Sequence, residues 1–387
     1  MIRLFEKMQR HFKKGGKLEL FYPVYDMFAT MMFVSPDRTK IGAHVRDYYD
    51  IKRLMVSVIF AALPAFAFGV FNAGYQHYAS QGLEASFLDY IIKGSWLVFP
   101  ILVVSYVAGG VWEMLFAIVR KHEINEGFLV TGFLIPLIVP PTIPLWQVAV
   151  ATSFGVVVGK EVFGGTGMNV FNPALVARAF LFFAYPASIS GDSVWTAFGE
   201  NMVDTYTGAT PLSVVASAKV PVVEALAEKG YTFWDMFLGT IPGSVGETST
   251  LVILLGALFL IVNGVASWRV MVSVVAGGLI MGFILNGLAP SPESFLALPA
   301  HYHLVMGGFA FGTVFMCTDP VSSSATAKGQ YVYGFSIGVL AIIVRTLNPA
   351  YPEGMMLAIL FMNAFAPLID NVVVWANIRR RKQRGTE

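Results

Sequence analysis

Few residues in this chain combine reactive groups with telling neighbours, and they fall in three settings. The first is Asp204-Thr205-Tyr206-Thr207-Gly208-Ala209-Thr210-Pro211, where two hydroxyls bracket a Gly-Ala pair. Thr210-Pro211 is a good helix N-cap with proline at the first helical position, a purely structural use of that hydroxyl. The second is a thin set of carboxylates in apolar surroundings: Glu113, Asp319 and Asp370. The third is a pair of segments with a polar residue before proline. These are Phe163-Gly-Gly-Thr-Gly-Met-Asn-Val-Phe-Asn-Pro-Ala-Leu175, with Asn169 and Asn172, and Gly312-Thr-Val-Phe-Met-Cys-Thr-Asp-Pro-Val-Ser-Ser-Ser324.

Other chemistries find little support. The six histidines show no metal-ligand spacing, and there is neither a Walker-type loop nor a dinucleotide fingerprint. Cys317 is the sole cysteine, so the chain alone forms no disulfide and holds no four-thiolate cluster. It reads as a small apolar residue packed in a helix. The net charge is only +2, and nothing points to nucleic acid.

The elements that position these groups belong in a bilayer. Hydrophobic residues make up 56% of the 387 and charged ones 13%, about half the soluble norm of roughly 25%. A membrane helix needs about 20 mainly apolar residues. Ten stretches qualify as spans: 54–74, 96–119, 127–144, 145–163, 170–185, 250–265, 269–288, 302–318, 331–347 and 353–375. Residues 1–53 read as a basic arm without the apolar core of a signal peptide, and 376–387 as a basic tail. With the N-terminus cytoplasmic, 21 of the 26 Lys and Arg fall on the inner side, which favours ten spans with both termini inside. The segment 186–249 then faces outward, carrying seven acids against two lysines.

That loop divides the spans five and five, and an odd number per half implies two inverted five-helix repeats, 54–185 and 250–375. Asn172-Pro173 and Asp319-Pro320 are expected at matching breaks of the two halves. Residues before proline avoid helical dihedrals, and broken helices at membrane depth must line a cavity or meet a ligand. Glu113 should face an interior cavity or partner, because an ionisable group in a span costs at least about 2.5 kcal/mol. Gly109 and Gly110 permit close approach of a ligand or of another helix. Asp319, Asp370 and Glu113 are candidate cation-pathway carboxylates; alternatively, Asp370 pairs with Arg178 or with the basic tail.

The motif Thr207-Gly208-Ala209-Thr210 resembles the flavinylation site of a family of respiratory membrane proteins. That family spans the B-type subunits of sodium-translocating NADH:quinone reductases and the D-type subunits of Rnf complexes. The likeness extends from about residue 15 to the tail, through Lys121-His-Glu-Ile-Asn-Glu-Gly-Phe128, Pro140-Pro-Thr-Ile-Pro-Leu-Trp146, Lys160-Glu-Val-Phe-Gly-Gly-Thr-Gly167 and Ile241-Pro-Gly-Ser-Val-Gly-Glu247. The long basic arm resembles the B-type members more than the D-type.

The resemblance implies an all-α, urea-channel-like fold in a bacterial inner membrane. It also implies FMN esterified through its phosphate to Thr210, with Thr207, Gly208 and Ala209 as the recognition motif. Asn169 and Asn172 match positions that hold riboflavin. Gly109, Gly110 and Glu113 match the quinone region, while Asp319 and Asp370 match acids tied to sodium uptake. The implied partners are the A-, C-, D-, E- and F-type subunits of the complex. The flavin of the C-type partner would be the electron donor, ubiquinone the acceptor and sodium the cargo. Two competitors stay open: an Rnf D-type flavoprotein without quinone reduction, and a non-redox channel or transporter on the same scaffold.

Overall fold

A computed structural model describes residues 51–120, 127–199, 203, 206–348 and 353–384, together with Phe12, Tyr22 and Tyr25. Most of the expected basic arm therefore lies outside the described residues, as do residues 121–126 and 204–205. The described residues form helices and connecting turns, with no strand among them.

Each of the ten apolar stretches is wholly or partly helical. The first half comprises α1 (Ile51–Ala79), α2 (Phe87–Arg120), α3 (Gly127–Leu137), α4 (Leu145–Val157) and α5 (Pro173–Ala184). The segment 186–249 contributes a single helical turn, Pro186–Ile189, and three further short helices: α6 (Pro211–Ala216), α7 (Val222–Glu228) and α8 (Phe233–Leu238). The second half comprises α9 (Thr250–Val262), α10 (Trp268–Gly287), α11 (Tyr302–Val305), α12 (Phe309–Phe311), α13 (Ala327–Leu347) and α14 (Met355–Arg384). Helix α12 continues into a π turn, Gly312–Met316.

Five of these helices, α1, α2, α10, α13 and α14, are long and apolar enough to cross a membrane. Helix α2, at 34 residues, is about 51 Å long and outruns a hydrocarbon core of about 30 Å. The others are shorter because of what interrupts them. Helix α3 stops before Pro140-Pro141, and α5 starts at Pro173. The stretch 302–318, expected as one span, is split at Gly307-Gly308, where Gly307 takes φ +60. The buried Arg345 guanidinium holds the split open by donating to the carbonyls of His303 (2.8 Å) and Met306 (3.1 Å).

Helix pairs recur between the halves: α2 packs on α4 as α10 does on α13, and α4 on α5 as α13 does on α14. Glycines permit the tight α10–α13 contact, since a Cβ on Gly277 or Gly338 would strike the facing helix backbone. This pairing corrects the expected match between breaks. Asn172-Pro173 lies between the fourth and fifth stretches of its half, whereas Asp319-Pro320 lies between the third and fourth of its own. In order, the first break corresponds to the connection between α13 and α14. The second corresponds to the Pro140-Pro141 connection between α3 and α4.

A large core runs through both halves, and a separate cluster forms beneath α6, α7 and α8, where Leu212, Val215, Leu226 and Met236 pack on Leu298 and Met306. Leu251, Leu254, Leu255 and Leu258 of α9 stay exposed, as suits a lipid-facing surface.

Candidate functional site

Every residue of the Thr-Gly-Ala-Thr motif has its own place. Thr207 is exposed. Gly208 adopts φ +65, and a Cβ there would stand 2.9 Å from the Asp192 carbonyl oxygen, so the turn needs glycine. Ala209 is buried, and its carbonyl accepts from the Tyr231 hydroxyl at 2.8 Å. Thr210 is the N-cap of α6, its Oγ1 accepting from the Ser213 N–H at 3.3 Å. Ser213 Oγ in turn donates to Asp192 at 2.5 Å. Upstream, the Tyr206 hydroxyl donates to Gln76 of α1 at 2.5 Å, and burial raises its pKa. The motif is thus a fixed turn anchored to the membrane helices.

Thr210 borders a cavity of about 340 Å³, within the range of small-molecule sites. Phe182 and Trp195 line it, with Arg178, Glu247 and Glu353. Arg178 of α5 is buried and bonds two carboxylates, Glu247 at 2.6 Å and Glu353 at 2.5 Å. Burial raises the Glu247 pKa to about 7, against the downward pull of Arg178 and with a further push from Glu353. Gly308 lies against both acids, where a Cβ would come within 2.7 Å of each. This triad settles one alternative: Arg178 pairs with Glu247 and Glu353, while Asp370 bonds elsewhere.

A second cavity has Lys160 in its wall, and both broken segments line it. Asn169, Asn172 and Pro173 contribute from one, Thr318, Asp319 and Pro320 from the other. Asn172 is the N-cap of α5, accepting from Ala174 N (3.0 Å) and Leu175 N (3.4 Å). Its Nδ2 faces Met316 Sδ at 3.8 Å, on the π turn. Asn169 Nδ2 donates to the Phe171 carbonyl at 3.0 Å. Asp319 accepts from Ser322 Oγ at 2.6 Å. The breaks are therefore not equivalent by order, yet they converge.

Glu113 is 4% exposed and ion-paired with Lys160, itself 3% exposed. Lys160 also meets Glu161 at 3.6 Å, and Glu161 meets Arg120 at 3.0 Å. Opposite charge and a continuous chain of partners answer the insertion cost of Glu113. The two glycines beside it differ. Gly109 packs against Phe128 and Thr152, whereas a Cβ on Gly110 would meet nothing within 4 Å. Gly109 is a packing residue; Gly110 faces open space.

Asp370 of α14 accepts from Ser324 Oγ (2.6 Å), Ala325 N (2.8 Å), Thr326 N (2.9 Å) and Thr326 Oγ1 (2.5 Å). Among the described residues, no cluster of three His, Cys, Asp or Glu side chains is arranged to hold a metal ion. Sequence reasoning missed Lys160 as the partner of Glu113, and missed Glu247 and Glu353 as partners of Arg178. An arginine in an apolar stretch was the available signal, but its partners are 69 and 175 residues away.

Residues 38–379 match the NQR2, RnfD, RnfE family. The chain belongs to that family. It is 49% identical to the B subunit of a Na(+)-translocating NADH-quinone reductase of Yersinia pestis, over 98% of each chain. It is likewise 49% identical to the corresponding protein of Klebsiella pneumoniae subsp. pneumoniae over 99% of each, and 48% identical to that of Azotobacter vinelandii over the whole of both. The match covers both halves and the segment 186–249, so the cavity beside Thr210 and the convergent breaks both lie inside the region shared with the family.

Proposed function

We propose that this chain is the B-type membrane subunit of a sodium-translocating NADH:quinone reductase, with FMN esterified to Thr210 and riboflavin between its broken helices. Sequence likeness along the whole chain supports the subunit identity. The observation that carries the cofactor reading is the cavity of about 340 Å³ at Thr210, walled by Phe182 and Trp195. When bound, the flavins supply one-electron relays from the flavin of the C-type partner to ubiquinone, coupled to sodium export.

The residues have separable tasks. Thr210 offers its Oγ1 to the phosphate while that oxygen still accepts from Ser213 N–H, so the ester and the cap are compatible. Gly208 and Ala209 hold the turn, and Thr207 stays exposed for recognition. Arg178 fixes Glu247 and Glu353 as one ion-paired group in the cavity wall. In the second cavity, Lys160, Asn169, Asn172 and Asp319 provide donors and acceptors suited to a flavin ring edge and its polyol chain. That cavity is only about 70 Å³ as it stands, so seating riboflavin requires the breaks to separate. Asn172 and Arg178 lie six residues apart at α5, about 9 Å along its axis, so one helix borders both cavities.

Gly110 and Glu113 mark the quinone region, with Gly109 packing behind them, and Asp319 and Asp370 mark the sodium path. The complex comprises the A-, C-, D-, E- and F-type subunits in addition, in a bacterial inner membrane with both termini of this chain cytoplasmic. The test is to denature the purified complex and measure flavin fluorescence in this chain's gel band. The wild type should fluoresce and Thr210→Ala should not. A dark wild-type band favours a non-redox transporter, and a fluorescent complex without sodium-stimulated quinone reduction favours the Rnf D-type reading.

A further inference from the structure

Helix α14 carries two buried or half-buried polar residues, Asn363 and Asp370, seven positions apart. That spacing puts them on one face, about 10 Å apart along the axis. Asn363 is 1% exposed. With its amide oriented to donate to Ile359 O (3.2 Å) and Tyr333 Oη (2.7 Å), its oxygen accepts from the Asn172 backbone N–H at 3.2 Å. Asn172 is the N-cap of α5, and its own N–H lies outside the helical ladder, so this bond closes the first break. Asp370 closes the second break by accepting from Ser324, Ala325 and Thr326.

The space around Asp370 is built for that contact. A Cβ on Gly329 would stand 2.7 Å from Asp370 Oδ1, so glycine lets the N-terminus of α13 close over the carboxylate. Thr326, which Asp370 holds, is the N-cap of α13 and accepts from Gly329 N at 3.2 Å. Three donors on Oδ1 and one on Oδ2 engage Asp370 with the protein itself, in the manner of a cap.

We propose that Asn363 and Asp370 are positioning residues: together they make α14 a two-point strut that fixes both broken segments around the second cavity. Asp370 then acts on sodium through the 317–326 segment and its Asp319, without ligating the ion. The same strut sets how far the two breaks can part, and so whether a ligand larger than the closed cavity can enter. This deepens the proposed function, on which its riboflavin and sodium readouts rest.

Cys317 supplies a readout that needs no cofactor. It is the chain's single cysteine, fully buried, two residues before Asp319. In the intact complex, the rate of Cys317 alkylation by N-ethylmaleimide would be read on this chain's band, in wild type, Asn363→Leu and Asp370→Asn. Both variants should label at least tenfold faster than wild type while the covalent flavin band persists, which shows that the fold is retained. Riboflavin per covalent flavin should fall at least twofold in both, and the sodium KM of Asp370→Asn should rise together with that loss.

Wild-type protection of Cys317 in Asp370→Asn overturns the strut. So does a raised sodium KM with unchanged riboflavin content, which would make Asp370 a direct ion ligand. If Asn363→Leu loses the covalent band, Tyr333→Phe, which removes the hydroxyl bonded to Asn363, takes its place under the same criteria. A wild type without riboflavin refutes the cofactor reading, and the labelling rates still decide the strut.

Discussion

Replacing Arg178 with methionine keeps much of its volume and removes the charge that holds Glu247 and Glu353. Its side chain is 4% exposed, and those of the two acids are 7% and 16% exposed. Breaking a buried pair by deleting one partner costs about 3–5 kcal/mol, because the other charge is left uncompensated. Two charge-assisted hydrogen bonds at about 1.5–3 kcal/mol each lead to the same range. The loss should depend on pH. In the wild type, the folded-state pKa of Glu247 is raised from 4.5 to about 7. A raised carboxyl favours the folded state below its unfolded pKa, and that contribution is lost as pH rises through the folded value.

Without Arg178 the folded pKa climbs further, so the loss continues above pH 7 where the wild type levels off. The stability gap between wild type and Arg178→Met should therefore be about 3–5 kcal/mol at pH 8 and shrink by roughly 1–2 kcal/mol toward pH 6. Chemical denaturation of the detergent-solubilised protein, followed by tryptophan fluorescence at both pH values, measures it. The triple variant Arg178→Met, Glu247→Leu, Glu353→Leu should recover most of the loss, since the whole buried charge group is removed together. Equal stability of Arg178→Met and wild type at pH 8, or a gap that widens toward pH 6, would refute the reasoning.

Other expectations rest on single contacts. Gly208→Ala forces a Cβ into φ +65 and toward the Asp192 carbonyl, so it should cost about 1–3 kcal/mol locally and lower flavin incorporation, read by band fluorescence. Tyr231→Phe removes the bond to Ala209 O and should destabilise the segment 206–249 by about 1 kcal/mol, visible as faster limited proteolysis near the motif. Gly109→Ala should disturb the packing of α2 on Phe128, whereas Gly110→Ala should leave thermal stability unchanged, because only the first position is crowded. Glu113→Gln removes the nearer acid facing the buried Lys160 and should lower the melting temperature; equal melting curves for Glu113→Gln and the surface variant Glu84→Gln would contradict it.

Much of the architecture was legible in the sequence because apolar runs and proline are local signals. The apolar stretches that became helices and the start of α5 at Pro173 follow from composition and proline placement, whereas the expected span 127–144 runs on past Leu137, where α3 ends. The break at Gly307-Gly308 was not legible, since it depends on Arg345 reaching back about forty residues to the His303 and Met306 carbonyls. For the same reason the partners of Arg178 and Glu113 escaped: ion pairs that close across helices carry no periodicity. Asn172 and Asp319 are marked as breaks by the prolines that follow them, but their convergence on one cavity is a tertiary fact. The Thr-Gly-Ala-Thr turn was legible as a helix cap from Thr210-Pro211, and only likeness to the family suggested a second use for that hydroxyl.

The central claim is a flavin covalently held at Thr210, and peptide mass mapping of this chain from the purified complex tests it most directly. The peptide containing Thr207 to Thr210 should be heavier than its sequence by one FMN less one water, with fragmentation placing the addition on Thr210. An unmodified peptide at full occupancy, or an addition that maps to any other residue, would contradict the account.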